Sequence, residues 1–164
     1  MRFTLVDKIV ALEPGRSVTA VKNLSLAEEY LADHFPGVPV MPGVLMLESL
    51  VQAGAWLMRY TEDFRYSTIL LQEARAVRFN NFVSPGKTLT VSATVHERDG
   101  SRCVLKGSGT VDGRSAVNAR LTLEQFNLAD KDPHSGDRDR ECIAHMRKLF
   151  QQLWSPATAA ARTD

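Results

Sequence analysis

The chain has 164 residues, enough for one domain with a substantial core and too few for two comfortable ones. It is 44% apolar and 24% charged with a formal net charge of +1, an ordinary globular composition that argues against a nucleic-acid surface. No apolar run reaches the roughly 20 residues of a spanning helix. Cys103 and Cys142 form no C-x-x-C pair and follow no signal-peptide pattern, so a reduced, cytoplasmic protein is the expectation.

In chain order, the first patterned segment is 16–24, where Val18, Ala20 and Val21 follow the turn-forming Pro14-Gly15 and predict a short strand. Ser25 and Glu28 have the spacing of a capping box and predict a short helix that stops by Phe35, since the residue before a proline is pushed out of the helical region. Next comes "DHFPGVPVMPGVLMLES", 33–49, which sets one histidine among three prolines and two glycines ahead of an apolar run. That run predicts a long helix over 43–60, apolar almost all round and therefore buried on most sides. Glu48 and Gln52, four apart, form a narrow polar strip on it.

The segment 66–79 reads as a strand with Ile69 and Leu71 in phase with Val77 and Phe79. Alternation at Leu89, Val91, Ala93 and Val95 gives another, and Asp99-Gly100 and Asp112-Gly113 mark tight hairpins before a last strand at 115–126. A meander of about four antiparallel strands wrapped around one long helix is an α+β arrangement, the most economical way to bury that helix. From Asn127 the chain turns polar and turn-rich and reads as a linker, followed by an amphipathic helix over 140–154 with Ile143, Met146, Leu149, Phe150 and Leu153 as its stripe, and a frayed tail. The division expected is 1–126 and 127–164.

His34 sits where Pro36, Pro39 and Pro42 fix the backbone, and a ring held still is what a general base needs. Glu48, set in an apolar surround, is expected to be partly desolvated with a raised pKa, suited to donating a proton near neutrality. The N–H groups at the helix start, at Gly43 and Val44, are orphan donors at the positive end of the dipole and suit an oxyanion. Base, acid and oxyanion donors thus fall within a short stretch and describe a proton-transfer site. Three patterns are rejected. Asp130, Asp132 and Glu141 match a calcium loop only in part, with Ser135 where glycine is required. Cys142 and His145 are too few for zinc. His96 falls on the polar face of its strand. No metal is expected.

The stretch "HFPGVPVMPGVLMLESLVQ" resembles the signature of the bacterial (3R)-hydroxyacyl-acyl-carrier-protein dehydratases, close to HFPGxPxxPGVLxxEAxxQ. The likeness extends through "RFTLVDKIVALEPGRSVTAVKNLS" and "EARAVRFNNFVSPGKTLTVSATV", covering about residues 2–126. The resemblance implies a hot-dog fold and a homodimer, often a hexamer, whose sites pair the histidine of one subunit with the acid of the other, here His34 and Glu48. It further implies that the Gly43 N–H is the oxyanion donor, that the Val40 carbonyl orients the histidine and that Gln52 supports the carboxylate. The substrate implied is a 3-hydroxyacyl thioester on the phosphopantetheine arm of acyl carrier protein, dehydrated to a trans-2-enoyl thioester with no metal or redox cofactor. Met41, Leu45 and Trp56 are candidates for the acyl tunnel, with core packing as the equal alternative. Arg75, Arg78 and Lys87 are candidates for docking the acidic carrier, against the alternative of a solvated sheet edge. The chain departs from the family pattern at Val38, and at Asn80 and Asn81, where basic residues are usual. Two other readings stay open, a hot-dog thioesterase and a non-catalytic acyl-carrier-binding subunit. Double-bond isomerisation belongs to a branch that carries aspartate at the acid position, and Glu48 leans away from it.

Overall fold

The computed structural model describes residues 4–154, so the expected frayed tail lies outside the described residues. Six strands form one antiparallel sheet: β1 (Lys8–Glu13), β2 (Ser17–Asn23), β3 (Thr68–Phe79), β4 (Thr88–Asp99), β5 (Arg102–Val111) and β6 (Arg114–Phe126). Their order across the sheet is β1-β2-β4-β5-β6-β3. One helix, α1 (Gly43–Thr61), lies on the sheet, and a second, α2 (Gly136–Leu153), follows it. Among the described residues no helix is long and apolar enough to cross a membrane.

The α1–sheet contact is an interlock of leucines and glycines. Leu50 of α1 sits over Gly107 of β5, where an added Cβ would come within 3.2 Å of its Cδ1. Reciprocally, Leu105 of β5 fills the space over Gly54 of α1, with Leu123 of β6 3.2 Å from where that Cβ would stand. Glycine here supplies close approach and not backbone freedom. Around this contact Leu57, Leu89, Val91, Val117, Leu121 and Leu123 are fully buried. The helix is nevertheless less enclosed than its composition suggests. Its sheet side and much of its C-terminal half are buried, whereas Val44 is exposed.

Several expectations are corrected. A strand, β1, precedes the first one read from the sequence and pairs with β2 across Pro14-Gly15, with Gly15 at φ +69. The capping box does not form. The Glu28 carboxylate accepts from the buried Lys22 Nζ at 2.8 Å, and Ser25 Oγ accepts from Ala27 N–H, leaving one 3-10 turn at Glu29–Leu31. Of the expected four-strand meander only β4-β5-β6 is consecutive. β3 crosses to the far edge and pairs with β6, while β4 pairs with β2. Register shifts at Leu71/Glu73 and Arg75/Arg78, with Ala76 at φ +51, break the phase of β3. Ile69 and Val77 are therefore half-buried, but Leu71 and Phe79 are exposed.

The expected linker is a folded connection. Residues 128–130 and 133–135 make 3-10 turns, and α2 starts at Gly136, four residues earlier than expected. The cause is Asp139, whose buried carboxylate accepts from Ser67 Oγ and from the N–H groups of Leu128 and Ala129, each at 2.9 Å. At its other end α2 inserts Phe150 among Trp56, Tyr60 and Phe64, with ring centroids 5.1 to 5.9 Å apart. Arg147 adds a bond to the Asp63 carboxylate at 2.9 Å.

Two outcomes are expected. Gly54→Val drives two methyl groups into Leu105 and Leu123 and costs about 2–3 kcal/mol, read from urea unfolding. Burial works to raise the Asp139 pKa, but the bonds from Ser67, Ala129 and Leu128 outweigh it and hold the carboxyl below its usual range. A carboxyl lowered by folding contributes stability that is present above its unfolded pKa and lost as pH falls through the folded one. Amides of α2 should thus stay protected from hydrogen exchange at about pH 5 and lose protection below about pH 4, and Asp139→Asn should remove that acid limb.

Candidate active site

The His34 loop is closed by its own backbone. The Val40 N–H donates to the His34 carbonyl at 3.1 Å, and Phe35 and Val38 exchange N–H···O bonds of 3.2 and 3.0 Å around Gly37 at φ +82. The His34–Phe35 peptide is cis, and the two rings stack with centroids 4.1 Å apart. Met41 N–H donates to Val83 O at 2.8 Å and moors the loop to the segment before β4. The His34 Nδ1 lies 3.0 Å from the Val40 carbonyl oxygen. A carbonyl can only accept, so Nδ1 carries the proton and the Nε2 lone pair is left available.

Gly43 opens α1 directly after this loop. Pro42 is its N-cap and offers no side-chain cap, so the first N–H groups of the helix are not satisfied by one. A Cβ on Gly43 would lie 3.1 Å from the Phe79 ring, so glycine keeps that helix start open. About one and a half turns further, Glu48 Oε1 accepts from the Gln52 amide at 3.0 Å, while the Gln52 oxygen accepts from Leu5 N–H at 2.9 Å. The polar strip read from the sequence is thus a hydrogen-bonded chain tied to the segment ahead of β1.

Glu48 is half-buried and faces a cavity of about 810 Å³ between α1 and α2. Gln52, Trp56 and Arg59 line it from α1, and Cys142, His145 and Met146 from α2. His34 and Gly43 are not among the residues that line this cavity. Of the tunnel candidates, Trp56 lines the cavity, Met41 lies in the core and Leu45 packs against that core. The docking candidates are all exposed, Arg75 paired with Glu73 at 2.8 Å and Lys87 with Asp112 at 2.7 Å, while Arg78 lies on β3. Asn80 and Asn81 use their amides to hold Ser115 of β6. Among the described residues no three His, Cys, Asp or Glu side chains gather as a metal site would require.

An apolar surface adjoins the histidine loop. Phe35, Val38, Val44, Phe79 and Phe82 are 54%, 65%, 67%, 49% and 76% exposed, more apolar side chain than a free surface normally presents. Sequence reading missed Arg59, which burial pushes below the ordinary guanidinium range, the neighbouring Cys142 acting the other way. The signal was present, because position 59 is three turns beyond 48 and continues the strip of Glu48 and Gln52.

A family model for the FabA-like domain matches residues 1–120, and the chain belongs to that family. The 3-hydroxyacyl-[acyl-carrier-protein] dehydratase FabZ of Oceanobacillus iheyensis is 40% identical over 121 residues, 74% of this chain and 86% of that protein. The protein of the same name from Latilactobacillus sakei is 36% identical over 119 residues, 73% of this chain and 85% of its own. Among solved structures, the dehydratase heterocomplex ApeI:P from Xenorhabdus doucetiae aligns with a TM-score of 0.66 at 19% identity, over 81% of this chain and 90% of that one. The protein smu.793 of Streptococcus mutans, bound to acetyl CoA, aligns at 0.59 and 13% identity over 77% and 94%. The fold is the hot-dog fold, a sheet wrapped on a central helix, with α2 beyond the residues that the family model matches.

Gln52→Met keeps the volume of the side chain but strands the Leu5 N–H and removes the amide donor on Glu48. A loss of about 1–3 kcal/mol in urea unfolding is expected.

Proposed function

We propose that the protein dehydrates (3R)-hydroxyacyl thioesters carried on acyl carrier protein to trans-2-enoyl thioesters, in fatty-acid or related acyl-chain synthesis. The observation that carries this reading is the His34–Val40 bond of 3.0 Å, which leaves Nε2 as a base on a chain of the FabA-like family. The two relatives named as dehydratases of this kind support the same substrate class.

The steps follow from the groups present. The thioester carbonyl accepts from the Gly43 N–H at the positive end of α1, which acidifies C2. His34 Nε2 takes the C2 proton, and the electron pair moves toward the carbonyl. Glu48, or a water it holds, gives a proton to the 3-hydroxyl, which leaves as water while the C2–C3 double bond forms. The proton then held by His34 returns to Glu48, and both groups are reset. Thioester activation removes the need for a metal or redox cofactor.

Because His34 does not line the cavity that Glu48 faces, the reading places them together across a homodimer, His34 of one subunit beside Glu48 of the other. The exposed apolar surface around Phe35, Val44 and Phe82 and the open edge of β3 support burial by a second copy. Further assembly of dimers, a cytoplasmic setting, a catalytic unit of 1–126 with 127–164 as its extension, and carrier docking through Arg75, Arg78 and Lys87 belong to the same proposal.

His34→Ala and Glu48→Gln should each lower kcat by about 100-fold or more without dissociating the dimer. Refolding the two variants together gives mixed dimers in which one of two sites holds both native groups. Activity should return to about a quarter of wild type in a statistical mixture. Substantial activity in either variant alone would sink the reading, as would release of free thiol in place of enoyl product.

A further inference from the structure

The cavity beside Glu48 is also lined by a cation, Arg59, that has no ion-pair partner among the described residues. Arg59 is half-buried, and its Nε is out of contact with water and has no hydrogen-bond partner among the described residues. Its guanidinium lies 5.5 Å from the centroid of the Trp56 ring, a contact that orients the group but supplies no counter-charge. The acids nearest in sequence are engaged elsewhere, Glu62 with Arg98 and Asp63 with Arg147. Two acids share the cavity. Glu48 is held by Gln52 toward the other end, and Glu141 is exposed on α2 together with Arg138. A partly desolvated, unpaired charge is costly and favours any ligand that brings the opposite charge to it.

Much of the cavity wall is apolar, from Val51, Ala55, Trp56, Ile69, Met146 and Leu149, with Gln52, Cys142 and His145 among its polar members. The apolar members suit a hydrocarbon chain. Positions 48 and 59 are separated by about 16 Å of helix rise. Three skeletal bonds of an extended chain span about 3.3–3.6 Å, so this length takes roughly a dozen or slightly more.

We propose that this cavity receives the distal part of the acyl group and that Arg59 selects acyl groups ending in a carboxylate. The inference rests on the dehydratase reading for its direction, with C3 of the substrate at Glu48 and the chain running toward α2. The cavity's outer wall is α2, beyond the residues that the family model matches, so this selectivity is a property of the extended chain.

The test is equilibrium binding to the full-length protein of two pantetheine thioesters, one of hexadecanoic acid and one of hexadecanedioic acid bound through a single carboxyl. Neither carries a 3-hydroxyl, so binding is read without turnover. The carboxylate-ended probe should bind at least about tenfold more tightly to the wild-type protein. Arg59→Met should erase that preference and Arg59→Lys should keep part of it. Equal or tighter binding of the methyl-ended probe to wild type overturns the inference without any variant, as does failure of both probes to bind. Survival of the preference in Arg59→Met also overturns it, as does displacement of the carboxylate-ended probe by 4′-phosphopantetheine through Arg59. Absence of dehydration of 3-hydroxyacyl thioesters of every chain length from four to sixteen carbons, on acyl carrier protein, would overturn the dehydratase reading separately and leave the binding result as the judgement on Arg59.

Discussion

The reciprocal packing of Leu50 over Gly107 and Leu105 over Gly54 fixes how α1 sits on the sheet. Each leucine enters a space that only a glycine leaves, so neither the height nor the rotation of the helix is free. At 100° per residue, Glu48 and Gln52 then fall about 160° around the helix from Leu50, and Arg59 about 180°. All three polar residues point away from the sheet because the leucine–glycine interlock turns the opposite face of α1 onto it. The same contact holds β5 and β6 against the helix, and so places α1 over the centre of the sheet.

The histidine loop is built on a different principle. It has little core of its own and gains rigidity from prolines and short-range hydrogen bonds, with Met41 anchored to Val83. The Val40 carbonyl fixes both the orientation and the tautomer of His34. Because the loop runs straight into α1, with Pro42 as the cap, one short segment supplies a base and a set of helix-start donors. The acid lies farther along α1 and faces a cavity that the histidine does not line. This split is the physical ground for reading the site as one completed by a second chain.

Helix α2 converts the outer strip of α1 from surface into cavity. It is fastened at both ends by unlike means, a buried carboxylate–hydroxyl–amide cluster at Asp139 and an aromatic cluster at Phe150. The two anchors leave the middle of the helix standing over Gln52 and Trp56 with space beneath it. An extension of this kind walls the pocket from the side opposite α1.

Much of this was legible in the order of residues. Gly43 and the apolar run marked α1 to within a residue, the Asp99-Gly100 and Asp112-Gly113 pairs marked both hairpins, and the spacing of Glu48 and Gln52 marked their shared face. These are local properties, fixed by backbone preference and helical or strand period. The sequence could not say that Glu28 would bond Lys22 and leave its capping box unmade, or that β3 would pair with β6 at the far edge. Nor could it say that Asp139 would meet Ser67 and turn a polar linker into the start of a helix. Each of those depends on a partner distant in the chain, and a charge gains its worth only from what packing brings beside it. By itself the sequence determined the elements, the stiff histidine loop and the family resemblance. Only the tertiary structure decided that the acid and Arg59 would line one cavity and the histidine would not, because that division follows from the rotation of α1 that the glycine contacts impose.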